Sequence, residues 1–432
     1  MKRCIYLIFL FFIVAKASAQ VQLEKYNFGE GLNLTDEEGF DMRIGGYIQP
    51  SLEMKQSSNS EESFNRFRMR RVRLRLSGSP HDKRFSYRLQ VDLSGSPEGD
   101  ADENANNVLM DAFVQYQLFK NISITVGQKG TPTDNLELGM NSQTLQLPER
   151  SRVTSAFSAI RDFGFFSDAS FKIRGTDMYI RPSIALTSGD GMNMFGKNVG
   201  GYKYGGRINF LPFGLFRSGG QFRQADIIRE LTPKLLVGVN YSYNEGISDR
   251  RGREVGSIRY VDVDGNDALP DYEKYGVDLL LKYRGFSLLG EYVHADAQVN
   301  PDIAERVRNN GTTTDNFEID GVQHVENYVK NRMMLGQGFN MQAGYLLKSL
   351  WSIDARYTHL IPQKYSFLHN GAYYARPNYY ELGISKYLVR NYGAKIQASL
   401  TYVEAKDDAR DNLDRQIQGH EWIGRLIFTI GF

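Results

Sequence analysis

The chain has 432 residues, 52 of them Lys or Arg against 50 Asp or Glu, and a single cysteine. A balance this close to zero leaves no footprint for a nucleic-acid partner, and one cysteine excludes a disulfide framework or a thiolate metal site. No apolar stretch approaches the roughly twenty residues of a spanning helix, whereas a mean hydropathy of −0.43 suits a membrane barrel, whose strands expose only alternate residues to lipid.

Lys2 and Arg3 precede an apolar run from Ile5 to Val14 and then Ala17-Ser18-Ala19, the pattern of a secretory signal, so residues 1–19 are expected to be removed before Gln20. Cys4 leaves with them. Loss of Lys2, Arg3 and Lys16 takes the basic count from 52 to 49, and any attraction for anions must then be local. Residues 20–40 show no firm period and are expected to form a periplasmic N-terminal arm.

From Asp41 to the end, alternating segments punctuated by turn residues predict an all-β chain, a transmembrane antiparallel β-barrel occupying 41–432. The strands are expected at 41–56, 66–78, 85–93, 108–117, 121–129, 162–173, 177–188 and 202–211, then at 234–246, 273–284, 286–297, 332–347, 351–360, 378–389, 393–405 and 420–432. That makes about sixteen. Short joints such as Gly78-Ser79-Pro80, Arg284-Gly285 and Arg390-Asn391-Tyr392 are expected on the periplasmic side and the longer, polar connections outside. Residues 212–233 break the rule as a long periplasmic connection. The outer stretches include Ser94 to Asn107, 247–272 and 298–331. Within them Asp262-Val263-Asp264-Gly265-Asn266-Asp267 clusters carboxylates, but its glycine is misplaced for a helix-loop-helix calcium site, and a solvated loop is expected.

In the second strand Arg71, Arg73 and Arg75 alternate with Val72, Leu74 and Leu76, which sends guanidinium groups to one face and aliphatic groups to the other. Phe67 and Met69 occupy the opposite phase from Val72 and Leu74, so the alternation slips near Arg70-Arg71. A bulge there would leave Arg68 and Arg70 on the lumen side as well. Phase also places Arg43, Lys55, Arg88, Arg181, Arg207 and Arg356 inward, with Asp278, Glu291 and Asp354 diluting their field. Two readings follow. The arginines form a ladder that attracts anions, or they pair with lumen carboxylates such as Glu53, Asp92 and Asp111 as ordinary wall charges. A charge facing lipid costs roughly 2–4 kcal/mol at the midplane, so strand charges must face the lumen whatever the pore transports.

Tyr116, Tyr243, Tyr292 and Tyr402 lie near strand ends and suit interfacial girdles. The six histidines, His81, His294, His324, His359, His369 and His420, fall in no spacing that sets a metal or a nucleophile beside its base, so no enzyme, cofactor or metal is expected. His294 or His359 beside a strand serine is the only arrangement open to a barrel hydrolase. At the end of the chain Leu426, Phe428, Ile430 and Phe432 share one face, a terminal strand of the kind that barrel-assembly machinery receives.

In sequence order, Gly45-Gly46-Tyr47-Ile48-Gln49-Pro50, Arg70 to Gly78, Phe85 to Asp92, Asp111 to Tyr116, Val126-Gly127-Gln128-Lys129, Glu149-Arg150-Ser151, Arg161-Asp162-Phe163-Gly164 and Gly206 to Gly214 resemble the phosphate-selective porins O and P, particularly those of the Bacteroidetes. The resemblance implies a sixteen-stranded, usually trimeric barrel in the outer membrane of a Gram-negative bacterium, with a third outer loop folded inward at 130–160. It also implies passive passage of small anions such as phosphate. The pore-lining and anion-binding candidates are then Arg68, Arg70, Arg71, Arg73, Arg75, Arg88, Lys129, Arg150 and Arg207, with Glu149-Arg150-Ser151 near the constriction. The alternatives are a general or organic-solute diffusion channel on the same barrel, and a surface binding or adhesion barrel with a plugged lumen.

Overall fold

The computed structural model describes residues 22–23, 26, 28–61, 63–94, 108–158, 161–189, 191–192, 200–248, 258–308, 310–410 and 414–432. The expected signal segment 1–19 and most of the outer stretch from Ser94 to Asn107 lie outside them. Sixteen antiparallel strands close on themselves: β1 (Asp41–Ser57), β2 (Ser63–Ser79), β3 (Phe85–Asp92), β4 (Leu109–Phe119), β5 (Ile122–Lys129), β6 (Asp162–Ala169), β7 (Tyr179–Thr187), β8 (Lys203–Leu211), β9 (Lys234–Asn244), β10 (Asp271–Tyr283), β11 (Phe286–Gln298), β12 (Gly336–Leu346), β13 (Trp351–Pro362), β14 (Asn378–Tyr387), β15 (Ala394–Glu404) and β16 (Glu421–Gly431). Each pairs with the next, and β16 returns to β1 from Glu421 opposite Ser57 to Gly431 opposite Tyr47.

The burial pattern is inverted relative to a soluble sandwich. Phe67, Ile184, Ile353 and Leu382 are exposed on the outer wall, while Arg71, Lys274, Asp278 and Asp354 are buried inside. Alternation in the strands makes this unavoidable: each residue pointing to lipid is followed by one pointing to the lumen. Aromatic pairs ring the wall, with Tyr204 and Tyr243 at 5.5 Å and Tyr402 and Trp422 at 4.9 Å near the long-loop end, and Phe85 and Tyr116 at 4.8 Å near the short-turn end. Such rings suit the interface, where one side of the residue is wet.

Closure depends on one small residue. The Gly46 N–H donates to the Phe432 carbonyl at 3.0 Å, and a Cβ on Gly46 would stand 2.2 Å from the Arg73 carbonyl and 2.8 Å from the Phe432 ring. Beyond the end of β16 a short strand, Leu32–Thr35, takes its place beside Asp41–Ile44. Arg43 lies exposed at the rim, opposite Asn33 of this added strand, and donates to it at 2.7 Å.

At the long-loop end, residues around Ile247, Tyr260, Phe317, Val329, Met334, Leu368 and Tyr373 pack into an apolar core together with Val153 and Phe157. This roof stands above the part of the barrel built by β9 to β13. The carboxylate cluster at 262–267 is a turn: Asp262 accepts from the N–H groups of Asp264 and Asn266 at 2.9 and 2.8 Å, and Asp267 pairs with Arg259.

Candidate functional site

The inner face of β2 carries the densest row of cations. Gln49 of β1 opposes Arg71 whereas Pro50 opposes Met69, so Arg70 is an extra residue in the ladder. Pro50 has no N–H to offer at that point, which favours a break in the pairing. The bulge turns both Arg70 and Arg71 inward, at 3 % and 1 % exposure, while Phe67 and Met69 stay on the outer wall.

Most of this row is engaged. Glu149 accepts from Arg70 at 3.1 Å and from Arg71 at 2.7 Å, and Arg71 also reaches Gln49 at 3.0 Å. Arg73 pairs with Asp92 at 2.9 Å and with Ser142 at 3.3 Å. Arg75 bonds only the neutral Gln90, at 2.7 and 2.9 Å, and Arg88 lies 5.4 Å from the Phe113 ring. Lys129 pairs with Asp168 at 3.1 Å. Arg207 joins Asp278 to the Asp134 carbonyl, and Arg150 donates to Ser142 and to the Met140 carbonyl at 2.8 and 2.6 Å. Asp111 takes Arg161 at 2.7 Å, and Glu53 takes Arg66 and Arg425 at 2.9 and 2.8 Å.

Glu149, Ser142 and Asp134 belong to the segment between β5 and β6, which runs through the barrel interior. It carries a helical turn at Leu136–Gly139 and a short helix at Arg152–Phe157, whose N-terminus is capped by the Ser151 hydroxyl accepting from the Thr154 N–H at 3.1 Å. The opposite wall holds it. Glu291 of β11 accepts from Asn135 and from the Glu137 N–H at 2.9 and 2.8 Å. Gln146 reaches Ser287 at 2.7 Å and Asp354 at 3.0 Å, and Gln397 donates to the Leu145 carbonyl at 3.2 Å. Of the inward carboxylates, Glu291 and Asp354 bond this segment directly, and Asp278 holds Arg207, which donates to its Asp134 carbonyl.

The connection between β8 and β9 folds up from the short-turn end to meet it. Gln224 accepts from the Gln146 N–H at 2.8 Å and from Gln342 at 3.0 Å. Lys282 binds the carbonyls of Gly220 and Ala225 at 2.7 and 3.1 Å, and Tyr392 donates to that of Ala225 at 2.6 Å.

Two cavities stay open, one beside β13 to β16, β1 and β2 and one beside β2 to β8. A small cavity of about 80 Å³ toward the long-loop end is lined by Arg66, Arg68, Arg152, Arg376 and Arg425 among others. A larger one of about 610 Å³ reaches the short turns and is lined by Arg75, Arg88, Lys129, Arg181 and Arg207 among others. Arg150 lines both, and cations outnumber carboxylates in each. Arg425 had a signal in sequence, standing in the opposite phase from Leu426 and Phe428. Arg376 and Arg152 had none, since loops carry no period. His294 stacks on Tyr275 at 4.8 Å and His359 bonds Asn378 at 2.6 Å. Among the described residues no group of three or more metal-ligating side chains is gathered.

Comparison with known families matches residues 43–319 to phosphate-selective porin O and P. Among curated proteins none matches the chain. Similar solved structures include the anion-selective porin from Comamonas acidovorans, at 9% identity and TM-score 0.50, covering 90% of this chain and 99% of that one. The outer membrane channel DcaP of Acinetobacter baumannii aligns at 11% identity and TM-score 0.51, with 92% and 99% coverage. Salmonella typhi OmpF, in complex with daunomycin, aligns at 12% identity and TM-score 0.51, with 91% and 98% coverage. Identities this low speak to the fold alone.

Proposed function

The chain belongs to the phosphate-selective porin O and P family and is an outer-membrane porin, and from that premise we propose that it passes small anions, phosphate among them, along its arginine-bearing wall. The observation that carries the reading is the pair of cation-rich cavities that share Arg150. A guanidinium in a narrow lumen replaces part of an anion's hydration and forks two donors onto phosphate or carboxylate. Arg71 and Arg73 work mainly as fasteners of the inward segment, which makes that segment a constriction, and Arg68, Arg75 and Arg88 carry the field that the anion meets.

Planar-bilayer recordings test this. Under a salt gradient near ~0.1 M, where the Debye length is about 10 Å, the reversal potential should favour anions, and the preference should shrink near ~1 M as screening tightens to about 3 Å. Arg75→Gln combined with Arg88→Gln should shift the low-salt value toward cations. A reversal potential near zero that the double variant does not move selects the general-diffusion channel. The contact between Gln146 and Gln224 favours one further reading, a surface barrel with a plugged lumen, and absence of conductance steps would select it.

A further inference from the structure

The larger cavity has two unlike kinds of lining group. Arg75, Arg88 and Arg181 supply one, and none of them forms a salt bridge among the described residues. Arg75 is bonded to a neutral amide, Arg88 has no hydrogen bond there, and the buried Nε of Arg181 has no acceptor. The carboxylates nearest them, Asp111 and Asp168, are already bonded to Arg161 and Lys129. Phe113, Phe222 and Leu138 supply the other: Phe113 faces in from the strand beside Arg88, and Leu138 and Phe222 come from the two inward segments. Phe222 is 49% exposed although it belongs to a segment that is otherwise fastened inside the barrel end. Cation and ring are adjacent in pairs: Arg88 lies 5.4 Å from the Phe113 centroid and Arg181 lies 5.2 Å from that of Phe222.

Inorganic phosphate has no use for the apolar groups. A fully hydrated oxyanion gains from guanidinium groups and gains nothing from phenyl rings or a leucine, which only lose water on its approach. A ligand with a charged head and a flat apolar body uses both, with its head on arginine and its ring beside the phenyl groups. The volume of about 610 Å³ falls within the range of preformed small-molecule sites, roughly 300–1,000 Å³, and the lining is more basic than the mostly apolar one usual there, which selects for a charged ligand.

We propose that this cavity is a binding site for small organic anions, specifically carboxylates attached to an aromatic ring, which the porin concentrates on the short-turn side of its constriction. The inference rests on the anion reading above and names a solute class for it. The site lies between the barrel wall and two segments that cross the lumen, so a bound carboxylate sits in the conducting route rather than beside it.

Binding is read independently of conduction, by saturation-transfer NMR titration of the full mature protein in nanodiscs with benzoate, acetate and inorganic phosphate. Benzoate should half-saturate at a concentration about tenfold below acetate, the difference being the ring taken from water. Phe222→Ala together with Phe113→Ala should remove most of that ratio while leaving acetate and phosphate unchanged. Phe222→Ala alone, in a connection outside the barrel wall, carries the test if the double variant fails to fold. Arg88→Gln with Arg181→Gln should weaken all three anions. Equal binding of benzoate and acetate by the wild type would overturn the proposal, as would a benzoate preference that survives loss of Phe222. Because reversal potential is measured separately, cation selectivity would sink the anion reading while a flat benzoate-to-acetate ratio would sink only the solute class.

Discussion

Glu149 accepts from both Arg70 and Arg71, so its replacement by Gln leaves two neighbouring guanidiniums without their shared carboxylate. A hydrogen bond to a charged group contributes roughly 1.5–3 kcal/mol, enough to loosen the inward segment without unfolding the barrel. Burial alone would raise the Glu149 carboxyl, but Arg70, Arg71 and Arg68 outweigh it and hold the group well below its usual range. Its folded value is therefore depressed relative to the unfolded one, near ~4.3, so its contribution is complete above that pH and is lost only as pH falls through the folded value. Conductance and selectivity should stay flat from pH 7 to about 4 and change below. Glu149→Gln should show the acid behaviour already at pH 7, read as reversal potential and single-channel conductance against pH. A wild-type transition between pH 5 and 6 would contradict the assignment.

The connection between β8 and β9 behaves as a second closing element, fastened from below where the β5–β6 segment is fastened from the sides. Its main bolt is Lys282, 2% exposed, whose ammonium binds two carbonyls of the connection. The Asp226 carboxylate adds a bond from the Gly285 N–H at 2.7 Å. Lys282→Met keeps the length and apolar stem but removes the donors, so the element should detach while β10 remains in the barrel. Trypsin should then cut after Arg217, Arg223 or Arg229 markedly faster than in the wild type, with the barrel fragments still folded. Unchanged cleavage at those three positions would mean that Gln224, Tyr392 and Asp226 suffice to hold it. Length marked this stretch as unusual in sequence, because connections of some twenty residues without regular structure tend to be functional. Its target inside the barrel had no sequence signal.

As a whole the molecule is a closed sheet with an apolar outer wall, one part filled by segments that cross it and one part open and basic. Such a closed sheet has no edges to fray, and the expected association of three copies would occur without covalent links, since the only cysteine precedes the expected cleavage site. Unboiled protein from outer membranes should migrate as a trimer on a denaturing gel and collapse to a single 45–50 kDa chain, about the mass of the sequence, only after heating. A band that migrates as an unfolded monomer before heating would sink the assembly.

The strands could be read from residues because alternation is local: whether Val72 faces lipid depends on its neighbours two places away, and the slip at Arg70-Arg71 is visible in the same few residues. The same reading drew the arginines of β2 to the lumen. It left open whether they were free or paired, and the partners it could suspect, Glu53, Asp92 and Asp111, all lie on neighbouring strands of the same part of the chain. Glu149 lies 79 residues from Arg70, and Gln146 reaches Asp354 across 208. Those contacts depend on where an aperiodic segment crosses the lumen, which no local pattern encodes. By itself, then, the sequence determined a closed barrel of about sixteen strands, its lipid face and the cationic character of its inner wall, since period and charge act over a few residues. Only the tertiary structure decided which cations fasten the interior and which still face the open cavities, because that depends on carboxylates brought together by closure of the sheet.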